Sequence, residues 1–296
     1  MFIDNIKKAF FEKNPSPEIA AIFTKEIERY AQTDEQSSES TTIKSYVEEL
    51  SKVPYNIQST DVFDMKKAHD ALESEHYGMK EVKDEILELI SIGKLKGSLK
   101  GKIICLVGGP GLGKTTLASS IAKAMDRKFA SISLGGVTDS SVLKGHRRTY
   151  IGAYSGKIIG ALKQCGTNNP VILLDEIDKM GKSPQGDPSS ELLEILDPAQ
   201  NSSFTDNFLD VPVDLSNVLF VCSANYLQKV SKPLQDRMVK IRLTSYTNNE
   251  KKEIYQRHIL RKAMEDVGLQ PEHYEISPEV VDMLIHDYSL GEPGVR

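Results

Sequence analysis

The sequence predicts an α/β protein built on a parallel sheet, with helices on both faces of the sheet. Apolar runs alternate with amphipathic stretches of helical periodicity through the middle of the chain, which is typical of such a sheet. This alternation begins near residue 61 and ends near residue 245, and only helical periodicity remains outside those bounds. The strand candidates are residues 102–107, 129–134, 171–175, 218–224 and 239–243. The helix candidates between and before them are residues 64–75, 79–95, 115–126 and 155–165.

The segment before the sheet predicts a helical stalk. Residues 1–31 carry helical periodicity that Pro15 and Pro17 interrupt, because proline breaks the helical hydrogen-bond pattern. The polar, aperiodic stretch QTDEQSSESTT at 32–42 predicts a linker or loop. A further helix is expected over residues 43–53.

The segment after the sheet predicts a small helical lid. One helix is expected from Asn248 to Gly268, and Ser277-Pro278 is a suitable start for the next. We therefore divide the chain into an N-terminal helical segment with its linker (1–60), an α/β nucleotide-binding domain (61–245) and an incomplete helical lid (246–296).

Composition excludes several classes of protein. The formal net charge of −5 gives no support for a dedicated nucleic-acid binder, although it allows a local basic patch. No apolar run approaches the roughly 18 residues of a membrane span. The three cysteines lack CxxC spacing, and Cys105 and Cys222 lie in apolar runs, which predicts buried reduced thiols. The N-terminal residues resemble neither a signal peptide nor a transit peptide.

A phosphate-binding loop is the strongest motif. The run GGPGLGKTT follows a strand candidate and opens a helix, and its members are Gly108, Gly109, Pro110, Gly111, Leu112, Gly113, Lys114, Thr115 and Thr116. Glycines let backbone N–H groups turn towards phosphate, and the helix N-terminus adds a positive dipole end. Lys114 is expected to reach the β- and γ-phosphates of ATP, and Thr115 to ligate Mg²⁺. The alternative is a glycine-rich turn with an accidental Lys-Thr pair.

Two carboxylates end the strand candidate at 171–175, where ligands bind in open α/β sheets. Asp175 is expected to hold Mg²⁺, and Glu176 to accept a proton from the attacking water. An isolated acidic pair at a strand end would instead be a solvated turn. The preceding phosphate-binding loop favours the catalytic interpretation, with hydrolysis as its consequence.

Two further polar residues complete the predicted catalytic set. Asn225 ends the next apolar strand and can orient the lytic water or sense the γ-phosphate, although asparagine also ends strands in ordinary turns. Arg237 is predicted to act on the nucleotide of a neighbouring subunit, where an arginine stabilises transition-state charge. The alternative for Arg237 is a surface ion pair with Asp236. An arginine acting in trans requires a ring or another oligomer.

These motifs, in this order, resemble the AAA+ superfamily. Longer segments resemble the Lon family in particular, and its mitochondrial type most closely. They are GHRRTYIGAYSGKII (145–159), LLDEIDKM (173–180), GDPSSELLEILDPAQN (186–201), FLDVPVDLSNVLFVCSAN (208–225) and EPGVR (292–296). The resemblance runs from about residue 15 to residue 296.

The resemblance implies further site residues. His76, Tyr77 and Gly78 match the segment around adenine, and Tyr150 with Ile151 matches the first pore loop, which grips unfolded polypeptide. Residues 183–186 match the second pore loop, and Arg296 matches the second sensor arginine of the lid. The alternatives are a core aromatic for Tyr150 and a local cap or core histidine for His76.

The sequence departs from the Lon pattern in several places. Gly109, Ser155 and Ser231 stand where Lon sequences usually have proline, which puts rates in doubt but removes no catalytic group. The protease domain with its Ser-Lys dyad is expected to be absent. The chain as given is therefore expected to hydrolyse ATP and to cleave no peptide bond.

The resemblance implies an ATP- and Mg²⁺-dependent motor in a hexameric homo-oligomer that translocates unfolded or damaged protein in quality control. It also implies the mitochondrial matrix, or the cytoplasm if the source is prokaryotic or viral. One alternative is a DNA-remodelling AAA+ ATPase of the clamp-loader or branch-migration type. DNA binding is compatible with the Lon family, but the charge does not favour it. Another alternative is a nucleotide switch that does not hydrolyse ATP.

Overall fold

A computed structural model describes residues 2–34, 36–150, 152–181, 183, 186–270, 276–288 and 291–295. The strands are β1 (Ile103–Val107), β2 (Phe129–Ser133), β3 (Val171–Asp175), β4 (Phe204–Thr205), β5 (Pro212–Val213), β6 (Leu219–Ala224) and β7 (Val239–Arg242). The helices before and within the sheet region are α1 (Phe2–Phe11), α2 (Pro17–Gln32), α3 (Ser38–Lys52), α4 (Met65–Glu75), α5 (Lys80–Lys96), α6 (Lys114–Ala124), α7 (Ser141–Lys144), α8 (Lys157–Cys165), α9 (Pro188–Leu196) and α10 (Lys232–Gln235). The helices after it are α11 (Asn248–Ile254), α12 (Leu260–Val267) and α13 (Pro278–Met283).

The central sheet contains the five predicted strands in the order β2-β3-β6-β1-β7, all parallel. The register aligns Val107 with Ala224 and Leu174 with Cys222, so the carboxyl ends of β1, β3 and β6 meet at one edge. Because β1, β3 and β6 are buried on both faces, their side chains form apolar runs rather than an alternating pattern, interrupted only by Asp175 and Ser223 near the carboxyl ends. Cys105 and Cys222 are buried free thiols, as predicted.

Successive residues of the sheet contribute to two hydrophobic clusters, one on each face. Cys105 and Cys222 pack in the cluster that also contains the N-terminal helices, whereas Leu106 and Val221 pack against α4 to α6. This alternation follows from the two-residue period of a strand. The helices on both faces confirm the predicted fold class.

Among the N-terminal helices, α3 begins earlier than the sequence pattern indicated. Helix α3 starts at Ser38, so the prediction of a loop as far as residue 42 is wrong. The side chain of Ser37 caps this helix by accepting a hydrogen bond from the N–H of Ser40 (3.0 Å). The rings of Phe10 and Phe23 stack 3.7 Å apart and join α1 to α2.

The helical segment after β7 keeps its predicted position but is not uniform. Thr247 and Glu250 form a capping box at the start of α11. A π-helical turn at Tyr255–Ile259 then separates α11 from α12 within the predicted single helix. Helix α13 begins at Pro278, as expected. The antiparallel pair β4–β5 was not predicted, because each of its strands has only two residues.

Among the described helices, none combines the length and the apolarity needed to cross a membrane.

Candidate nucleotide-hydrolysis site

The glycine-rich run forms a tight loop between β1 and α6. Gly111 and Gly113 adopt φ values of +74° and +82°, which side chains other than glycine rarely allow. A Cβ added at Gly108 would lie 2.9 Å from the carbonyl oxygen of Leu243. Because Gly113 also caps α6, the loop leads directly into the N-terminus of an 11-residue helix. This geometry fits a phosphate group.

Lys114 connects the loop to the neighbouring strand end. Its Nζ donates hydrogen bonds to the carbonyl oxygens of Gly108 (2.7 Å) and Gly109 (2.8 Å) and to Oδ1 of Asn225 (2.8 Å). Burial lowers the pKa of the Lys114 ammonium from its ordinary value, and the nearby carboxylate of Asp175 opposes that shift. The predicted catalytic residues Lys114 and Asn225 are therefore in direct contact.

Asp175 lies at the carboxyl end of β3, beside the helix start. Its Oδ2 is 3.5 Å from the Oγ1 of Thr115, and its Oδ1 accepts a hydrogen bond from the hydroxyl of Ser223. A hydroxyl and a carboxylate are oxygen ligands of the kind that Mg²⁺ prefers. The predicted metal pair is thus brought together at the sheet edge.

The backbone of Glu176 is fixed by a hydrogen bond, whereas its carboxylate is accessible. It adopts φ +60°, and its N–H donates to the Oγ of Ser223 (2.9 Å). The carboxylate pairs with Lys179 and lies against Gly135, where an added Cβ would come within 2.2 Å of Oε2. Gly135 therefore provides the space that this carboxylate occupies.

The residues present fit ATP and Mg²⁺. The loop offers backbone amides and an ammonium group for phosphate oxygens, and Thr115 with Asp175 offers oxygen ligands for the metal.

The adenine segment predicted from the resemblance lies beside the phosphate-binding loop. His76, Tyr77 and Gly78 line a cleft of about 770 Å³ together with residues after β7 that include Glu250 and Arg257. A Cβ added at Gly113 would lie 3.9 Å from the His76 ring. The guanidinium of Arg257 lies 4.7 Å from the centre of the Tyr77 ring.

His76 is buried, and its Nε2 lies 3.0 Å from the Oγ of Ser120. Burial lowers the pKa of His76 from its ordinary value of 6.5 to about 4. In the unfolded chain the His76 ring has its ordinary pKa, so the unfolded chain binds a proton on this ring more tightly than the folded chain does. The contribution of the neutral ring to stability is present above pH 6.5 and is lost as the pH falls towards 4.

We expect the free energy of unfolding to decrease between pH 6.5 and pH 4 by up to about 3 kcal/mol because of His76. Urea unfolding of the parent chain and of His76→Asn across this range measures the effect, and the variant should show a shallower pH dependence. His69→Asn is the control, since the His69 side chain is 59% exposed. Equal pH slopes for the parent and His76→Asn would contradict the assignment.

Arg237 lies apart from the nucleotide site of its own chain. Its guanidinium contacts Oδ2 of Asp197 (3.3 Å) and the carbonyl oxygen of Pro233 (3.1 Å), and its side chain is 38% exposed. Its described ion pair is thus with Asp197, whereas the alternative considered from the sequence was Asp236. The guanidinium of Arg237 is thus partly accessible at the protein surface.

The first predicted pore loop presents an exposed aromatic side chain. Tyr150 is 64% exposed, which contradicts the alternative of a core aromatic. Its predicted partner Ile151 lies outside the described residues, and so do positions 184 and 185 of the second predicted pore loop. The predicted sensor Arg296 also lies outside them.

The segment that precedes Arg296 contacts the phosphate-binding loop. The N–H of Val295 donates to the carbonyl oxygen of Gly111 (3.3 Å), and a Cβ added at Gly294 would lie 2.4 Å from the Gly111 carbonyl carbon. A Cβ at Gly109 would lie 2.6 Å from the Cγ of Pro293. Glycines at 109 and 294 therefore allow this close approach.

Sequence reasoning missed two residues that organise the site. Ser223 bonds both members of the acidic pair, and it is the one hydroxyl side chain in the strand LFVCSA. Asp178 is buried, and its Oδ2 accepts a hydrogen bond from the N–H of Tyr226 (3.1 Å), the residue after Asn225. A lone serine in an apolar strand and a third acid in the run DEID were the available signals.

Comparison with known proteins identifies the class of this domain. The sequence model of the family described as ATPase family associated with various cellular activities (AAA) matches residues 104–246. That range includes the phosphate-binding loop, Asp175, Glu176, Asn225 and Arg237. The fold, the site and this match define an AAA ATPase domain.

The similarity to individual proteins extends over nearly the whole chain, and the relatives it matches are named Lon protease homologs. A mitochondrial Lon protease homolog of Emericella nidulans is 48% identical over 96% of this chain and 26% of its own length. The homologs of Debaryomyces hansenii and Phaeodactylum tricornutum are 50% and 48% identical over 89% and 99% of this chain. The chain covers 24% and 34% of those two proteins, so it spans about a quarter to a third of the relatives it matches.

Among solved structures, the Holliday junction branch migration motor RuvB of Thermotoga maritima is similar, with a TM-score of 0.47 and 21% identity. The similarity covers 75% of this chain and 62% of that one.

Proposed function

We propose that this Lon-type AAA module hydrolyses ATP at the sheet edge and uses the energy to translocate polypeptide. The observation that carries the hydrolytic part is the convergence of Lys114, Thr115, Asp175 and Asn225 at the ends of β1, β3 and β6. Ligands bind at this edge in open α/β sheets. Residues 61–245 would form the hydrolytic domain, with residues 1–60 as a helical segment and 246–296 as a lid.

Each residue has a distinct proposed role. Bound ATP with Mg²⁺ supplies the γ-phosphoryl group and neutralises part of its charge. Lys114 and the loop amides hold phosphate oxygens, and Thr115 with Asp175 holds the metal. Glu176 accepts the proton of the attacking water, and Asn225 orients that water. His76, Tyr77 and Gly78 would border the adenine, and Arg296 would act from the lid.

An oligomeric ring, hexameric in the whole protein, is part of this proposal. Arg237 is exposed and contacts Asp197 rather than the phosphate-binding loop of its own chain. An arginine in this position can act on the nucleotide of a neighbouring subunit. A head-to-tail ring would bring such a site and such an arginine together at every interface.

The proposed substrate is unfolded or damaged protein. Tyr150 and Tyr154 are 64% and 57% exposed on one loop, and an exposed aromatic side chain can contact any extended polypeptide. Because the relatives are named mitochondrial Lon protease homologs, the proposal extends to delivery of that polypeptide to a protease in quality control, with the mitochondrial matrix as the proposed location. DNA remodelling has less support, because these relatives are named proteases and the net charge is −5.

Replacing Tyr150 by alanine is expected to spare basal ATP hydrolysis and to weaken its stimulation by unfolded casein. Loss of an aromatic contact should raise the casein concentration for half-maximal stimulation by about 10- to 100-fold. Leu95→Ala is a matched control, because Leu95 is an 87% exposed apolar side chain on α5. Unchanged stimulation of Tyr150→Ala would argue against the gripping role.

A further inference from the structure

The loop that carries Tyr150 is attached to the N-terminal helices on the side where it begins. The guanidinium of Arg148 lies 3.9 Å from the centre of the Tyr46 ring, which belongs to α3. The same side chain is 3.4 Å from Oε1 of Glu26 on α2. Arg148 thus connects the loop to two helices, two residues before the exposed tyrosine. Arginine suits both contacts, because its guanidinium is planar and permanently charged.

A second attachment lies on the side where the loop ends. The Oγ of Ser155 donates to Oε2 of Glu49 on α3 (2.9 Å). Lys163 of α8 donates to Ser155 Oγ (2.9 Å) and also contacts the Glu49 carboxylate. All three side chains are partly buried, so these contacts are less screened than a pair on the open surface.

The helix that receives both attachments is itself fixed in the core. Tyr46 is buried, and its hydroxyl donates to the carbonyl oxygen of Leu209 (2.7 Å). The buried carboxylate of Asp206 accepts hydrogen bonds from the N–H groups of Gly156 (2.7 Å) and Leu209 (3.1 Å). The end of the loop and helix α3 are therefore both held by the segment that contains Asp206 and Leu209.

Attachment at both ends restricts the movement of the loop relative to α3 more than attachment at one end would. If only Arg148 attached the loop, the loop could pivot about its first residues. If only Ser155 attached it, the loop could pivot about its last residues. Attached at both ends to the same helix, the loop is constrained to follow α3 when α3 moves. The exposed Tyr150 lies between the two attachments.

We propose that α2 and α3 brace the loop that presents Tyr150, with Arg148 and Ser155 as the positioning residues. The brace sets how well the loop engages polypeptide and couples that engagement to the position of the N-terminal helices. This inference rests on the proposed role of Tyr150 in gripping polypeptide.

The test compares Arg148→Met and Ser155→Ala with the parent chain in ATPase assays at increasing concentrations of unfolded casein. Both variants should raise the half-stimulating casein concentration by about 2- to 30-fold, the range expected for residues that transmit coupling. The KM for ATP without casein should stay at the parent value, because neither residue contacts the nucleotide site. Arg148→Lys keeps the charge near Glu26 but loses the planar group over Tyr46, so an intermediate effect is expected.

Lys44→Met is the matched control. The ammonium of Lys44 lies 4.9 Å from the centre of the Phe2 ring and so links α3 to α1 without touching the loop. If the effect came from general loosening of the helices, Lys44→Met would reproduce it and overturn the brace. If Arg148→Met and Ser155→Ala behave like the parent while Tyr150→Ala loses stimulation, the brace is also wrong, but the gripping role stands.

If Tyr150→Ala leaves the stimulation of ATP hydrolysis by casein unchanged, a spectroscopic measurement still tests the brace. The chain contains no tryptophan, so Tyr150→Trp introduces a single reporter on the loop. In that background, Arg148→Met and Ser155→Ala should lower the steady-state anisotropy of the reporter, and Lys44→Met should not. Equal anisotropy in all three would overturn the brace independently of any role of Tyr150.

Discussion

Replacing Glu176 by glutamine is expected to lower the ATP turnover number by about 10²- to 10⁴-fold, the usual contribution of a general base. Glutamine preserves the size of the side chain and removes its ability to accept a proton. The backbone N–H of Glu176 would still bond Ser223, so the strand end should keep its geometry. ATP binding by the variant should stay close to that of the parent.

Steady-state hydrolysis and equilibrium binding of a fluorescent ATP analogue separate the two effects. Glu265→Gln is the control, because Glu265 is an exposed glutamate on α12 that pairs with Arg261. Undiminished turnover in Glu176→Gln would refute its role as the base. A parallel loss of binding would instead assign Glu176 to nucleotide binding.

Replacing Arg237 by alanine should lower turnover by about 10³- to 10⁵-fold, if it acts as an arginine finger between subunits. The variant keeps its own Lys114, Asp175 and Glu176, so each of its sites lacks only the group supplied by a neighbour. Nucleotide binding is therefore expected to persist. Arg261→Ala is a suitable control, since the Arg261 side chain is 80% exposed on the lid.

Mixing experiments test the action in trans. The partner variant is Lys114→Ala, which keeps Arg237 and loses its own nucleotide site. In randomly mixed rings at equal amounts, about a quarter of the interfaces combine an intact site with an intact arginine, and activity should return in that proportion. If mixing restores no activity although mixed oligomers form, Arg237 does not act across the interface.

Local signals predicted the fold and the centre of the site. The strand β1, the glycine-rich loop and α6 are consecutive in sequence, so their pattern alone indicated the phosphate site. Asp175 and Asn225 could be placed beside it, because the carboxyl ends of parallel strands meet at one edge. The contact between Lys114 and Asn225 follows from that topology.

Contacts between distant segments could not be predicted in the same way. The Ser37 cap extended α3 into a stretch whose composition resembled a linker. The pairing of Arg148 with Tyr46 and that of Arg237 with Asp197 depend on how separate elements pack, and no periodic pattern encodes this. Ser223 and Asp178 have their roles because other segments supply hydrogen-bond partners to them.

The most direct test of a self-assembling, polypeptide-stimulated ATPase is the steady-state rate of ATP hydrolysis measured against protein concentration, with and without unfolded casein. Because Arg237 is proposed to act on a neighbour, the specific activity should rise with protein concentration and reach a plateau as the ring forms. Casein should raise that plateau further in the parent chain. A specific activity that is independent of concentration and unaffected by casein, in a protein that binds and hydrolyses ATP, would contradict the account.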